Sequence, residues 1–177
     1  MRISHQKRFI PEFSLILFLC LVGLFVLAHC AKEKKSPSAL APDFTLKTLD
    51  GQEIILSQLK GKVVLLDFWA TWCGPCREAI PHLIQLYKGY REKGFEVIGM
   101  SLDKGDGEAV RNFAKSMDIP YPVVIATEEV VRNYRVTPIP TTFILDKEGK
   151  IRQRIIGFNS TISQQMNSQV TDLTSEK

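Results

Sequence analysis

The 177-residue length accommodates one compact domain with an appendage, so a single core is expected. Of the formal charge of +4, half belongs to residues 1–30, where Arg2, Lys7 and Arg8 outweigh Glu12; the remaining +2 is an ordinary solvated surface and excludes a nucleic-acid partner.

In chain order, a basic start precedes "FSLILFLCLVGLFVLA", Phe13 to Ala28, a 16-residue uncharged apolar run. That pattern is a secretory signal or a short membrane anchor within residues 1–30. As a helix it spans about 24 Å, short of the ~30 Å hydrocarbon core unless the bilayer thins or flanking residues join. Either use exports the rest of the chain. The string "LAHC" resembles a bacterial lipoprotein signal, with Cys30 as the candidate for lipidation. His29 stands where such signals use Gly, Ala or Ser, so an uncleaved anchor and ordinary cleavage stay open beside it. Cys20 reads as an apolar filler.

Residues 31–40, charged, small and proline-bearing, read as a tether that lets a domain over 41–177 stand off the membrane. Asp43 to Leu46 and Glu53 to Leu56 flank Asp50-Gly51, a hairpin signal, and Ser57 is placed to cap a short turn before Gly61. "KVVLLDFWA" is a nearly continuous apolar run, the mark of a strand buried on both faces. "CREAIPHLIQLYKGYREKG" carries apolar residues near helical spacing and ends at Gly94, with Pro81 expected to kink it. "FEVIGMSL" predicts a strand, and "EAVRNFAKSM" a helix with Val110, Phe113 and Met117 on one side. "YPVVIA" predicts a short strand, and "TEEVVRNYRV" a helix capped by Thr127. "TTFILD" and "KIRQRIIGF" predict a hairpin around Lys147 to Gly149, and Ser160 to about Leu173 a closing helix. Strands alternating with helices before a terminal hairpin give the α/β class, a central mixed sheet flanked by helices with an N-terminal β-hairpin extension.

With Cys20 and Cys30 in the targeting segment, only Cys73 and Cys76 remain for the exported domain. One bond closing so short a loop removes little unfolded-state entropy, so stapling is a poor reason for the pair. A thiol attacks only as thiolate, which a free cysteine with pKa near ~8.5 offers sparingly at neutral pH. Here the pair falls where a buried strand gives way to a helix, whose unpaired N–H groups and macrodipole favour a negative sulfur. Lowering a thiol pKa by ~1.5 units takes about 2 kcal/mol. Cys73, behind Trp72, is therefore the expected nucleophile and Cys76, one turn inside, the shielded resolving thiol. Gly74 relaxes the tight entry, and Pro75 is tolerated in a first helical turn.

The segment "DFWATWCGPC" is similar to the thioredoxin active site. Together, "APDFTLKTLDG", "LKGKVVLLDFWATWCGPCREAIPHL" and "VTPIPTTFILDKEGKI" resemble the TlpA/ResA type of membrane-anchored extracytoplasmic thiol-disulfide oxidoreductase over about residues 41–158. The resemblance implies a thioredoxin-like fold, the Cys73-Cys76 disulfide as the redox centre and no other cofactor. It also implies a cis bond before Pro140, which would leave the Ile139 backbone free for an extended substrate strand. Asp67 matches the buried carboxylate of thioredoxin, whose pKa desolvation should raise so that it exchanges a proton with Cys76. The branch commonly has a glutamate three residues after the second cysteine; that place is Ala79. Glu78 one position earlier would point about 100° away, and reads as a first-turn acid. Implied partners are exported proteins bearing disulfides, apocytochrome c among them, and a membrane electron donor of the DsbD/CcdA kind.

His82 reads as a helix-surface residue: one histidine and two cysteines leave a zinc site short of its fourth ligand unless a carboxylate joins, so no metal is expected. Trp69 reads as core and Trp72 as site rim. A peroxiredoxin is the rival enzyme, since "APDFTL" through "LKGK" also resembles the start of that family. That family has a threonine three residues before its cysteine, whereas Thr71 is two before Cys73 and position 70 is Ala. A Sco-like copper-delivery module is the non-enzymatic rival, but it needs CxxxC and a later histidine, and no histidine follows His82.

Overall fold

The computed structural model describes residues 39–105 and 107–176. Cys20, Cys30 and the apolar run lie outside the described residues. Contacts divide the chain into a unit over Met1–Pro37 and one over Ser38–Lys177, and everything below concerns the second.

Two short strands, β1 (Thr45–Lys47) and β2 (Glu53–Ile55), pair antiparallel around the Asp50-Gly51 turn. A 3-10 turn over Leu56–Leu59 follows, and here one expectation is corrected. The residue at its N-cap is Ile55, with no side-chain hydrogen bond; the Ser57 N–H instead donates to Asp43 Oδ1 at 2.9 Å.

The main sheet has five strands in the order β5-β4-β3-β6-β7, built from β3 (Val63–Trp69), β4 (Phe95–Ser101), β5 (Val123–Ile125), β6 (Thr141–Leu145) and β7 (Ile151–Ile156). β3, β4 and β5 run parallel, and β6 and β7 antiparallel to their neighbours, the mixed sheet expected. Every residue of β3 is buried, and alternation sends its side chains to two cores. Val63, Leu65 and Trp69 join a cluster with Ile80, Leu83 and Leu86 of α1 (Gly74–Tyr90) and Met166, Val170 and Leu173 of α4 (Ser160–Ser175). Val110 of α2 (Glu108–Ser116) packs there too. Val64, Leu66 and Phe68 join a second cluster with Phe143, Tyr134 and Val130 of α3 (Glu128–Asn133), closed by Phe44 and Leu56. Each such side chain stabilises the fold by roughly 1.5–3 kcal/mol.

Helix α1 runs through Pro81 as one element, with Pro81 exposed on its surface. Thr127 caps α3 by accepting the Val130 N–H, and Asn159 caps α4 in the same way from Ile162. The hairpin extension covers one sheet edge, where Thr48 bridges Val124 and the Leu49 N–H donates to Val123. Ala39 and Leu40, read above as tether, already belong to the sheet: Leu40 bridges Lys150, and the Ile151 N–H donates to Ala39. No helix among the described residues is long and apolar enough to cross a membrane.

Candidate active site

Because β3, β4 and β5 are parallel, their carboxyl ends share one rim of the sheet, and the antiparallel β6 starts there. That rim collects the residues singled out in the sequence. Cys73 is the N-cap of α1 with extended backbone (φ −87°, ψ 108°), and its sulfur accepts the Cys76 N–H at 3.3 Å. The Cys73 N–H is held by the Ala70 carbonyl, and the Cys73 carbonyl accepts the first helical N–H, from Arg77. The two sulfurs are joined in a disulfide. Cys76 is wholly buried and Cys73 retains 6% exposure, so the outer sulfur is the one a partner can reach.

Around the pair, Gly74 and Pro75 are exposed in the first turn, and Trp72 projects with 71% of its surface exposed while Trp69 is core. The Ile139-Pro140 bond is cis. Pro140 is buried, its carbonyl takes the Gly157 N–H at 2.8 Å, and the neighbouring Pro138 carbonyl takes the Thr141 hydroxyl at 2.7 Å. Among the described residues no hydrogen bond engages the Ile139 N–H or carbonyl. Ile139 packs against the cluster that contains both cysteines.

Asp67 lies on the α1 face of β3, in line with Leu65 and Trp69, and is 1% exposed. Gly99 and Thr142 oppose it on the two neighbouring strands, and the Thr142 hydroxyl donates to Oδ1 at 2.9 Å. Burial pushes its carboxyl up to about 7, against the lowering effect of that hydrogen bond. A carboxyl so placed holds or yields a proton near neutral pH. Thr142 was not anticipated; its signal was the threonine pair directly after Pro140.

Two minor readings are corrected. Glu78 is the fifth residue of α1, and the first turn holds no acid, so the helix end does not use it. Ala79, in the place the TlpA/ResA type gives to glutamate, is buried. His82 is no surface residue: half-buried, it packs against Phe158 with ring centroids 5.8 Å apart, and its buried Nε2 has no hydrogen-bond partner. Burial lowers its pKa, although a bond to the Ser163 backbone opposes that. Sequence reasoning also missed Asp103, which binds Thr71 in the loop ahead of Cys73. Beside it a cavity of 660 Å³ opens at the ends of β4 and β5, walled by Leu102, Thr127 and Val131. Among the described residues no group of three or more His, Cys, Asp or Glu side chains converges for a metal ion.

Residues 37–154 match the model of the AhpC/TSA family. The chain belongs to the AhpC/TSA family. It is 40% identical over 156 residues to thiol-disulfide oxidoreductase ResA of Bacillus cereus, covering 86% of this chain and 90% of the relative. The ResA of Bacillus subtilis is 36% identical over 158 residues, with 87% of each chain covered. Among solved structures, a thiol:disulfide interchange protein of the thioredoxin family from Chlorobium tepidum superposes with a TM-score of 0.71 at 32% identity, covering 79% of this chain and 99% of that one. This AhpC/TSA-family protein thus has a thioredoxin-like fold, and with its CxxC pair it is a thiol-disulfide oxidoreductase.

Proposed function

We propose that the protein is an extracytoplasmic reductase of disulfides in exported proteins. The observation that carries the reading is the unequal placement of two sulfurs at one helix start: Cys73 at the N-cap with 6% exposure, Cys76 fully buried behind it. In the dithiol form the Cys73 thiolate attacks a substrate disulfide. A bond forms between Cys73 and one substrate sulfur, and the other leaves as thiolate. Cys76 then gives up its proton, with Asp67 as the acceptor, and attacks the Cys73 sulfur. The second substrate thiolate is expelled, so two electrons have passed to the substrate; its two thiolates are protonated by the proton held on Asp67 and by one from solvent, which replaces the proton Cys73 lost on forming its thiolate. Trp72, Gly74 and Pro75 form the docking rim, and the uncommitted Ile139 backbone beside Pro140 bonds the substrate as an added strand.

The apolar run Phe13 to Ala28 supports export and attachment at the outer face of a bacterial membrane, with Cys30 lipidation or the run itself as the anchor. Resemblance to the TlpA/ResA type supports the reducing direction, resupply of electrons by a membrane donor of the DsbD/CcdA kind, and apocytochrome c as the first substrate to test. The test is Cys76→Ser in intact cells. It should accumulate a mixed disulfide between Cys73 and an exported cysteine-bearing protein, released by reductant, while Cys73→Ala neither traps it nor reduces insulin. Absence of any adduct, or insulin reduction undiminished in Cys73→Ala, rejects the mechanism.

A further inference from the structure

Asp103 belongs to no motif read from the sequence, yet it grips the loop that delivers Cys73. Its Oδ1 accepts the Thr71 hydroxyl at 2.6 Å, and its Oδ2 accepts both the Thr71 N–H at 2.9 Å and the Ser101 hydroxyl at 2.8 Å. The Asp103 N–H returns a bond to Ser101 Oγ at 3.1 Å. Ser101 is fully buried opposite Trp69, and the Leu102 N–H donates to the Trp69 carbonyl at 2.8 Å. The carboxylate is thus mounted on the rigid end of β4 and holds Thr71 by backbone and side chain together. Only Trp72 separates that grip from the N-cap.

Thr71 and Cys73 Cα atoms can be at most about 7 Å apart, comparable to the ~8 Å screening length at physiological salt. Asp103 Oδ2 lies 2.9 Å from the Thr71 nitrogen, two residues before Cys73, and in this part-buried loop its charge is screened from Cys73 less than an exposed one would be. At this end of the surrounding elements the other charged or titratable groups are Asp67 on β3, Arg77, Glu78 and His82 on α1, and Lys104 after β4; Tyr87, Lys88 and Tyr90 lie toward the far end of α1 and Glu96 at the far end of β4. The segment Thr137–Thr141 carries none.

We propose that Asp103 is a positioning residue for thiol-disulfide exchange. It fixes Thr71 and through it the approach of Cys73, and its charge weighs against a negative sulfur there. The pair is thereby held toward the disulfide, and its dithiol form is the stronger reductant. This rests on Cys73 being the attacking sulfur. The helix end favours the thiolate and Asp103 opposes it, so the balance of the two sets the potential.

The test compares the full-length chain with Asp103→Asn, Asp103→Glu and Thr71→Val. The readouts are thiolate absorbance against pH, equilibrium with glutathione, and kcat/KM on a protein disulfide. Asp103→Asn should lower the Cys73 titration midpoint and shift the equilibrium toward the dithiol by about tenfold, or about 30 mV. Asp103→Glu, which keeps the charge, should stay within about twofold of the unaltered protein. Thr71→Val keeps the charge and loses one hydrogen bond, so kcat/KM should fall about fivefold with the equilibrium unmoved. An unmoved midpoint and equilibrium in Asp103→Asn, an equal shift in Asp103→Glu, or full activity in Thr71→Val overturns the proposal. Should Asp103→Asn not fold, Asp103→Ser, which also removes the charge, takes its place and is judged by the same criteria. A Cys76→Ser control keeps the titration if Cys73 is the ionising sulfur. Loss of it there overturns the Cys73 assignment itself, a failure distinct from an Asp103 effect that is absent while Cys73 titrates.

Discussion

Asp67 shows what a single buried carboxyl costs and supplies. Its pKa rises from 3.8 to about 7 because charging it means leaving water for the interior between β3, β4 and β6. Below about pH 4 it is protonated in both folded and unfolded chains. Between about pH 4 and 7 the folded state holds a proton that the unfolded state has released, so this contribution to stability is lost as pH rises through that window. At about 1.4 kcal/mol per unit, the stability difference between the unaltered protein and Asp67→Asn should change by on the order of 4 kcal/mol from pH 4 to 8, in favour of the variant at high pH. Urea denaturation across that range measures it, and a parallel pH dependence of the two proteins contradicts the burial account. The cysteines were legible because their spacing at a strand-to-helix corner carries the chemistry, and Asp67 through the resemblance of its segment to the thioredoxin active site. Asp103 was not, because its grip on Thr71 joins residues 32 apart and exists only once β3 and β4 lie side by side.

Elements were read most reliably where burial is complete. The apolar runs of β3 and β4 named strands with no solvent face, and the apolar spacing of α1 named its packed side. Edge features were harder. The 3-10 turn after β2 is stabilised by Asp43 reaching across 14 residues, a bond that no local pattern at Ser57 reveals. In the sequence His82 reads as a surface residue because the chain offers it too few partners for a metal site, but Phe158 and the start of α4 cover it, a tertiary fact. Gly99 is instructive among strand residues. It stands opposite Asp67, and a Cβ there would lie 3.1 Å from Trp69 Nε1 and 3.4 Å from Tyr121 Cε2. The glycine lets the indole and the phenol close over the sheet beside the carboxyl. Gly99→Ala should cost roughly 1–3 kcal/mol through overpacking, visible as a lower urea midpoint with unchanged slope; an unchanged midpoint shows that the rings move aside freely.

At the scale of the whole molecule, the mixed sheet explains why so few residues suffice. Three parallel strands present their carboxyl ends together, and β6, entering antiparallel from the cis Pro140, brings Ile139 and Thr142 to the same rim. Helix α1 starts at that rim and turns Cys76 inward with Ala79, Ile80, Leu83 and Leu86, so Cys76 is fully covered while Cys73 keeps 6% exposure. The fold class and hairpin extension were legible as alternating patterns. The sharing of Asp67 between β4 and β6 required the strand order, which alternation does not encode. The most direct measurement is mass-spectrometric mapping of alkylation in the freshly reduced, folded chain at neutral pH. A brief exposure to iodoacetamide should modify Cys73 and spare Cys76, with both modified only after unfolding. Equal labelling of the two, or preferential labelling of Cys76, contradicts the division of labour between the sulfurs.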